Sequence, residues 1–232
     1  MQPAALTMTR KTWTDEELET LPKDGHKYEL LEGDLIMSPV HENHGAVCIE
    51  ITLLIGVFVH RRKLGQVYDS STGFRLTGNL VLSPDVSFVS NARLKTIRVS
   101  PDKFLAGAPD LVVEVLSPSD RMTQISRKLE HYFEHGARLA WLVNLRKQQV
   151  HIYTADSIEA LTDLDDILTG GAVLPGFKCK LRQIFLPGRA RLPGSFDRSA
   201  HAHAPPSPVV FKAPSIQSKC DIESKSAAFP QR

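Results

Sequence analysis

An acidic residue stands in the middle of an otherwise apolar stretch of this chain. The segment Leu111–Leu116 reads LVVEVL, a pattern that predicts a buried β-strand with Glu114 at a core position. A buried carboxylate is costly unless it is neutralised, paired with a cation or bound to a metal. Glu114 is therefore the first candidate for a functional residue.

A second acidic residue begins another apolar segment. Pro84 and Asp85 precede the sequence VSFV, which predicts a strand with Asp85 at its start. If this strand lies beside that of Glu114, two carboxylates meet at one point. Such a pair supplies oxygen ligands for a hard cation such as Mg²⁺, and the backbone carbonyl of Val115 would be a third ligand.

A lysine completes this group of candidates. Lys128 follows on a predicted helix, beside an apolar stripe that includes Ile125 and Leu129, so its side chain can reach toward the sheet. Hydrolysis of a phosphodiester needs an activated water, a cation on the phosphate and positive charge near the developing negative charge. Two carboxylates followed by a lysine therefore predict a metal-dependent nuclease.

Composition and charge narrow the classes of function. The chain has 232 residues, of which 42% are hydrophobic, enough for one sizeable core. Its 28 basic and 26 acidic residues give a net charge of only +2, so DNA would have to bind a local basic patch. The candidates are Arg61–Lys63 and the group Arg121, Arg127 and Lys128. The sequence contains no P-loop, dinucleotide-binding glycine motif, zinc-ligand spacing or nucleophile elbow.

The sequence predicts a soluble protein of the cytoplasm that does not contact a membrane. Its three cysteines are scattered and odd in number, which favours a reducing compartment. Residues Met1–Lys11 lack the apolar region of a signal peptide. The longest apolar segment, Ile49–Val59, is interrupted by Glu50 and is shorter than a membrane span.

Periodicity and turn signals predict both helices and strands. A capping box at Thr14–Glu17 begins a short helix, and Glu32-Gly33 is a tight-turn signal between two strands of a hairpin. Apolar residues at helical spacing predict a helix over 45–62 and another around Ile125–Phe133. With the strands between and after them, these elements predict an α/β or α+β domain around a single mixed sheet.

Three regions follow from the change of composition along the chain. Residues 1–13 form an N-terminal arm and residues 14–187 form the folded domain. Residues 188–232 are rich in proline, serine and alanine and lack apolar periodicity. Such a segment buries too little apolar surface to offset the entropy of ordering, so we predict a disordered tail with few contacts to the core.

Several longer motifs resemble those of one protein family. In chain order they are YELLEGD at 28–34, MSP at 37–39, His44, PDVSFV at 84–89, GAPDLVVEVLSPSD at 107–120, Lys128-Leu129, Tyr132, Gly136, WLV at 141–143 and LPGF at 174–177. Together they resemble a large bacterial family of restriction-endonuclease-like proteins, abundant in cyanobacteria and placed in the PD-(D/E)XK nuclease superfamily. The likeness covers roughly residues 14–185.

This resemblance implies a fold, an activity and a set of site residues. The fold would be a restriction-endonuclease-like core, with a mixed central sheet flanked by helices. The activity would be Mg²⁺-dependent hydrolysis of DNA phosphodiester bonds, with Mn²⁺ as a possible substitute. Asp85, Glu114 and Lys128 would be catalytic, and the two carboxylates would bind the metal together with Val115. The superfamily places its lysine two residues after the glutamate, where this chain has Leu116, and the family resembled moves it to the following helix.

Some assignments have alternatives. Glu50 is a further metal ligand or an ordinary acid on the helix surface, and His44 is a helix cap or a phosphate contact. Glu29 and Glu32 belong to the site or only to the hairpin. Two functions remain open for the protein as a whole. It is either an endonuclease, or a binding or regulatory module that keeps the nuclease fold but does not hydrolyse DNA. Because a duplex has two strands to cut, we also predict a homodimer.

Overall fold

The computed structural model describes residues 11–22, 26–38, 42–97, 103–118, 120–185 and 211–212. The helices within these ranges are α1 (Asp15–Glu19), α2 (Glu42–Arg62), α3 (Asn91–Leu94), α4 (Met122–Glu134) and α5 (Leu181–Phe185). The strands are β1 (Lys27–Leu31), β2 (Asp34–Ser38), β3 (Gly65–Asp69), β4 (Phe74–Thr77), β5 (Leu80–Leu82), β6 (Val86–Ser90), β7 (Leu105–Ala106), β8 (Leu111–Leu116), β9 (Leu139–Asn144), β10 (Gln149–Tyr153), β11 (Ser157–Leu161), β12 (Ile167–Gly170), β13 (Leu174–Lys180) and β14 (Phe211–Lys212).

The strands form two larger sheets and one separate pair. A five-stranded sheet has the order β2-β1-β5-β4-β7, and a seven-stranded sheet has the order β14-β11-β10-β9-β8-β6-β3. Strands β12 and β13 pair with each other. The predicted mixed α/β fold is confirmed, but the prediction of a single sheet is wrong. Ser83–Asp85 is one of the points at which the chain passes from one sheet to the other, and Pro84 there has no N–H to continue a ladder.

The two strands that carry the predicted carboxylates are neighbours in the seven-stranded sheet. Strand β6 runs antiparallel to β8, with Val86 opposite Val113. Strand β8 in turn runs parallel to β9, with Glu114 opposite Leu142. Asp85 directly precedes β6, so the register brings it to the end of β8 that holds Glu114. The predicted adjacency is confirmed.

The hairpin β1–β2 has the turn that the sequence predicts. Leu31 and Asp34 are the last paired residues, and the two residues between them have positive φ angles, 54° at Glu32 and 82° at Gly33. Positive φ at both central positions is the mark of a type I′ turn, which matches the twist of the flanking strands. The turn therefore places the Glu32 side chain at the tip of the hairpin.

Helix α2 is apolar on two sides. Its inner side packs in the main core through Val47, Ile51, Ile55 and Val59. Its outer side exposes Ile49, Leu53 and Val57 to solvent. By length and composition alone, His44–Arg62 is sufficient to cross a membrane. The apolar segment that was predicted to be shorter than a membrane span therefore belongs to a longer helix that has the length and composition of one. The cytoplasmic location and the homodimer stay predictions.

Most of the predicted arm and tail lies outside the described residues. The predicted disorder of 188–232 therefore stays a prediction. Strand β14 is the described exception, since Phe211 and Lys212 pair antiparallel with Ile158 and Ser157 of β11. This short pairing is compatible with few contacts between tail and core, and the division of the chain into three regions stays a prediction.

Two glycines provide a test of the packing. A Cβ at Gly65 would overlap the carbonyl oxygen of Val89 on the neighbouring strand, whereas a Cβ at Gly56 on α2 meets nothing within 4 Å. We expect Gly65→Ala to lower the free energy of unfolding by about 1–3 kcal/mol, because the backbone must move. Gly56→Ala should instead raise it by up to about 1 kcal/mol through helix propensity. Urea unfolding of both variants measures this difference, and equal effects would contradict the described pairing of β3 with β6.

Candidate active site

Asp85 is a buried carboxylate with three donors around it. Its Oδ1 lies 3.0 Å from the Lys27 ammonium. Its Oδ2 accepts a hydrogen bond from the backbone N–H of Val115 at 2.8 Å and lies 3.1 Å from Nε2 of His44. Burial alone would raise the pKa of Asp85, but the hydrogen bond from His44 and the charge of Lys27 outweigh it and lower the pKa well below its usual range. Asp85 is therefore an anion.

Glu114 is buried like Asp85, but its negative charge has fewer and more distant partners. Only 4% of its surface is exposed. Its Oε1 accepts a hydrogen bond from the Tyr132 hydroxyl at 3.2 Å and lies 3.9 Å from the Lys128 ammonium. Burial raises the pKa of Glu114 to about 7; Lys128 opposes this shift, and the charge of Asp85 adds to it. Near neutral pH this carboxyl group is poised between its charged and neutral forms.

Lys128 forms its shortest ion pair with Glu29 on β1. The ammonium lies 2.6 Å from Oε2 of Glu29, while Oε1 of Glu29 accepts the backbone N–H of Ser83 at 2.8 Å. Burial would raise the pKa of Glu29, but the charges of Lys128 and Lys27 outweigh it and lower the pKa. Burial would likewise lower the pKa of Lys128, but Glu114 and Glu29 raise it. The pair is therefore charged on both sides.

His44 and Cys48 extend the contacts of Asp85 along α2. One turn of helix separates the two residues, and Sγ of Cys48 lies 3.5 Å from Nδ1 of His44. The hydrogen bonds of His44 to Asp85 and Cys48 raise its pKa to about 10. His44 was expected to precede the helix as a cap or phosphate contact, but it lies in the first turn of α2 and its ring contacts Asp85.

These side chains line one open cleft of about 100 Å³. The cleft is bounded by Lys27, His44, Gly45, Cys48, Ser70, Asp85, Glu114, Val115, Ser117, Asp120, Ile125 and Lys128. Asp85, Glu114, Val115 and Lys128 are thus brought together as the sequence predicts. Glu50 is not among the lining residues, because it lies about a third of a turn around α2 from His44. The structure gives no support to Glu50 as a ligand.

The donor set of the cleft fits a hard divalent cation. Two carboxylates from neighbouring strands border the same space, and oxygen ligands are those that Mg²⁺ prefers. The negative charge of Glu114 is only partly balanced by its neighbours. A cation in the cleft would stabilise the charged form of this carboxyl group. One contact opposes binding: the Lys27 ammonium already holds Oδ1 of Asp85, so it would have to yield that oxygen or share the carboxylate with the ion.

Lys27 and Tyr132 have no predicted role in this site, although Tyr132 belongs to one of the family motifs. For Glu29 the sequence leaves a role in the site and a role in the hairpin open, and its ion pair with Lys128 favours the site. A signal for Glu29 was present, because it precedes Leu30 and Leu31 in a strand just as Glu114 lies among valines. Glu29 is in fact completely buried.

The charge of Glu114 should be visible in the stability of the protein. Its pKa is raised from 4.5 to about 7 on folding, so the folded state binds more protons than the unfolded state between these values. Stability therefore falls as pH rises from 4.5 to 7. Glu114→Gln removes this loss, and its melting temperature relative to the natural protein should increase over that range. A difference that does not vary with pH would contradict the assigned shift.

The buried ion pair between Glu29 and Lys128 should also contribute to the free energy of unfolding. Lys128→Met leaves the fully buried Glu29 without its closest cation, which should lower the free energy of unfolding by about 3–5 kcal/mol. The double variant Glu29→Gln/Lys128→Met removes both charges and should recover most of that loss. Denaturant unfolding of the four proteins in this cycle gives the coupling. Additive effects of the two substitutions would show that the pair is not coupled.

A solved structure is similar to this chain over most of its length. It is described as a "putative nuclease belonging to DUF820" and comes from Anabaena variabilis. The TM-score is 0.65 at 22% sequence identity, and the match covers 74% of this chain and 97% of the other. The two proteins therefore share a fold. No curated protein matches the chain.

The family is established by a match in sequence. Residues 15–182 match the model described as "Uma2: Putative restriction endonuclease". The matched region contains the two carboxylates, the lysine and every other residue that lines the cleft. The resemblance read from the motifs is confirmed, and the chain belongs to the Uma2 family of putative restriction endonucleases.

Proposed function

We propose that this protein is a Mg²⁺-dependent endonuclease that hydrolyses phosphodiester bonds of DNA. The observation that carries the proposal is the convergence of Asp85, Glu114 and Lys128 on one open cleft, from a strand entry, a strand and a helix. Membership in a family described as putative restriction endonucleases supports the same reaction class. The choice of DNA over RNA rests on that family description.

The carboxylates would create the metal site. Asp85 and Glu114, with the carbonyl of Val115, would hold Mg²⁺ or Mn²⁺. Such an ion supplies polarisation of the phosphate and a more acidic bound water. Asp85 is already ionised, whereas Glu114 must give up its proton when a cation takes the place of that proton.

Lys128 would act on the reacting atoms. Its ammonium has three donors, and Glu29 accepts one of them. The other donors border the cleft, where they can orient the attacking water or stabilise charge on the phosphate in the transition state. Glu29 would therefore hold the position of Lys128, and the charges of Glu114 and Glu29 raise the pKa of Lys128 and keep it protonated. Lys27 and His44 add positive charge to the same cleft, which favours an anionic backbone.

One observation favours a catalytically silent binding or regulatory module instead. Both oxygens of Asp85 are already satisfied by Lys27, His44 and the Val115 N–H, so the cluster is partly compensated without a cation. In that alternative the cleft would bind phosphate through Lys27 and His44 without cleaving it. Cleavage assays on charge-neutral variants separate the two functions.

We expect Asp85→Asn and Glu114→Gln each to lower metal-dependent cleavage at least about a hundredfold, because each removes charge that the cation requires. The assay follows nicking and linearisation of plasmid DNA with and without Mg²⁺ or Mn²⁺, with single-stranded DNA and RNA in parallel. Glu50→Gln is the matched control, since it makes the same change on α2 outside the cleft and should leave cleavage unchanged.

Two outcomes would contradict the proposal. Full cleavage by Glu114→Gln in Mg²⁺ would exclude the metal site described above. Absence of cleavage by the natural protein on every substrate, with retained DNA binding that Lys27→Met abolishes, would favour the binding module.

A further inference from the structure

A second group of metal-binding side chains lies at the end of α4, outside the cleft. His131, Glu134 and His135 each offer one ligand atom, and these atoms all lie within 4.8 Å of one another. Their spacing of three and four residues places them on one side of the helix end. Glu32, at the tip of the β1–β2 hairpin, contacts this group through His131.

The ring of His135 is oriented as a metal ligand requires. Its Nδ1 lies 2.8 Å from the carbonyl oxygen of His131, and only an N–H can bond a carbonyl at that point. A proton on Nδ1 leaves Nε2 as the ring atom through which His135 can bind an ion. A hydrogen bond from the second nitrogen to a backbone carbonyl is the usual way in which proteins fix a ligating histidine.

His131 has the other common arrangement. Its Nε2 lies 2.8 Å from Oε1 of Glu32, and its Nδ1 lies 3.1 Å from Oε2 of Glu134. Donation of one ring N–H to a carboxylate orients a ligating imidazole and makes it more basic. The ring centroids of His131 and His135 are 6.4 Å apart. Two imidazoles that share a tetrahedral ion at about 2.0–2.1 Å from each nitrogen lie closer together than this, so the two rings would turn toward each other on binding.

We propose that His131, Glu134 and His135 bind a divalent transition metal ion, with Zn²⁺ as the expected ion and Glu32 as the carboxylate that orients His131. Two imidazoles and one carboxylate suit Zn²⁺, whereas the carboxylates of Asp85 and Glu114 suit Mg²⁺. The group is open to solvent, since 19% of the His131 side chain and 56% of the Glu134 side chain are exposed. This site does not depend on the proposed nuclease activity.

A bound ion would join α4 more firmly to the hairpin. Glu32 and Glu29 both belong to the hairpin, and their partners His131 and Lys128 lie one turn apart on α4. An ion on His131 and His135 would strengthen the contact between Glu32 and His131, which is the more exposed of the two. The competing explanation is a set of surface ion pairs without a metal, which would contribute little to stability. The two explanations differ in whether Zn²⁺ stabilises the fold.

Calorimetric titration of Zn²⁺ into the full chain, in excess Mg²⁺, tests the proposal. We expect His131→Ala and His135→Ala each to bind one Zn²⁺ fewer per chain than the natural protein. His44, Cys48 and Asp85 also bring ligand atoms together, and Zn²⁺ bound there would add to the total. The quantity to compare is therefore the number of Zn²⁺ ions that each variant loses relative to the natural protein. His60→Ala is the matched control, an exposed histidine in the last turn of α2, and it should bind as the natural protein does.

Two further variants keep the test informative if a histidine variant fails to fold. Glu134→Gln and Glu32→Gln remove exposed carboxylates, and each should weaken binding of that ion at least about tenfold. The melting temperature should rise with Zn²⁺ in the natural protein and in His60→Ala, but not in His135→Ala. Equal Zn²⁺ stoichiometry and affinity in all of these proteins would overturn the proposal.

Discussion

The compensation of buried charge is the constraint on which the rest of this structure depends. Glu29, Glu114, Lys128 and Asp85 are at most 7% exposed, and they belong to β1, β8, α4 and the entry to β6. Removal of each charge from water costs several kcal/mol unless a partner is in place. The hairpin, the central sheet and α4 must therefore assemble together, because displacement of any one of them leaves a buried charge without its counterion.

The same constraint gives the site its chemical character. Asp85 and Glu29 have their counterions close at hand and are anionic, whereas Glu114 has a hydroxyl and a more distant ammonium. The fold therefore holds one carboxyl group that is close to changing its protonation state near neutral pH. A cation in the cleft would complete its compensation, and this links metal binding to stability.

The sequence predicted those parts of the site that depend on local pattern. Glu114 was found because a single acid interrupts a run of apolar residues, and Asp85 because it begins the preceding strand. Lys128 was found from its place beside an apolar helical stripe. In contrast, Lys27 and Tyr132 carry no local signal, since their roles arise from the packing of β1 and α4 around the central sheet. The division into two sheets was missed because local patterns do not show which strands become neighbours.

Two further differences between the predicted and the observed site also depend on how the elements pack together. Glu50 was predicted to be either a further ligand or an ordinary acid of the helix surface, because it flanks the apolar stripe of α2, and the helix places it away from His44 and the cleft. His44 and Cys48 are one turn apart and could have been paired from spacing alone. Their contact with Asp85 could not, because it joins residues from different elements.

The carboxylates of Asp85 and Glu114 are proposed to share one divalent cation. Anomalous diffraction from crystals of the full chain soaked in Mn²⁺ tests this most directly. We expect an anomalous peak in the cleft, within ligand distance of both carboxylates, that is lost in Glu114→Gln. Mn²⁺ bound only elsewhere, with Lys27 still paired to Asp85, would contradict it.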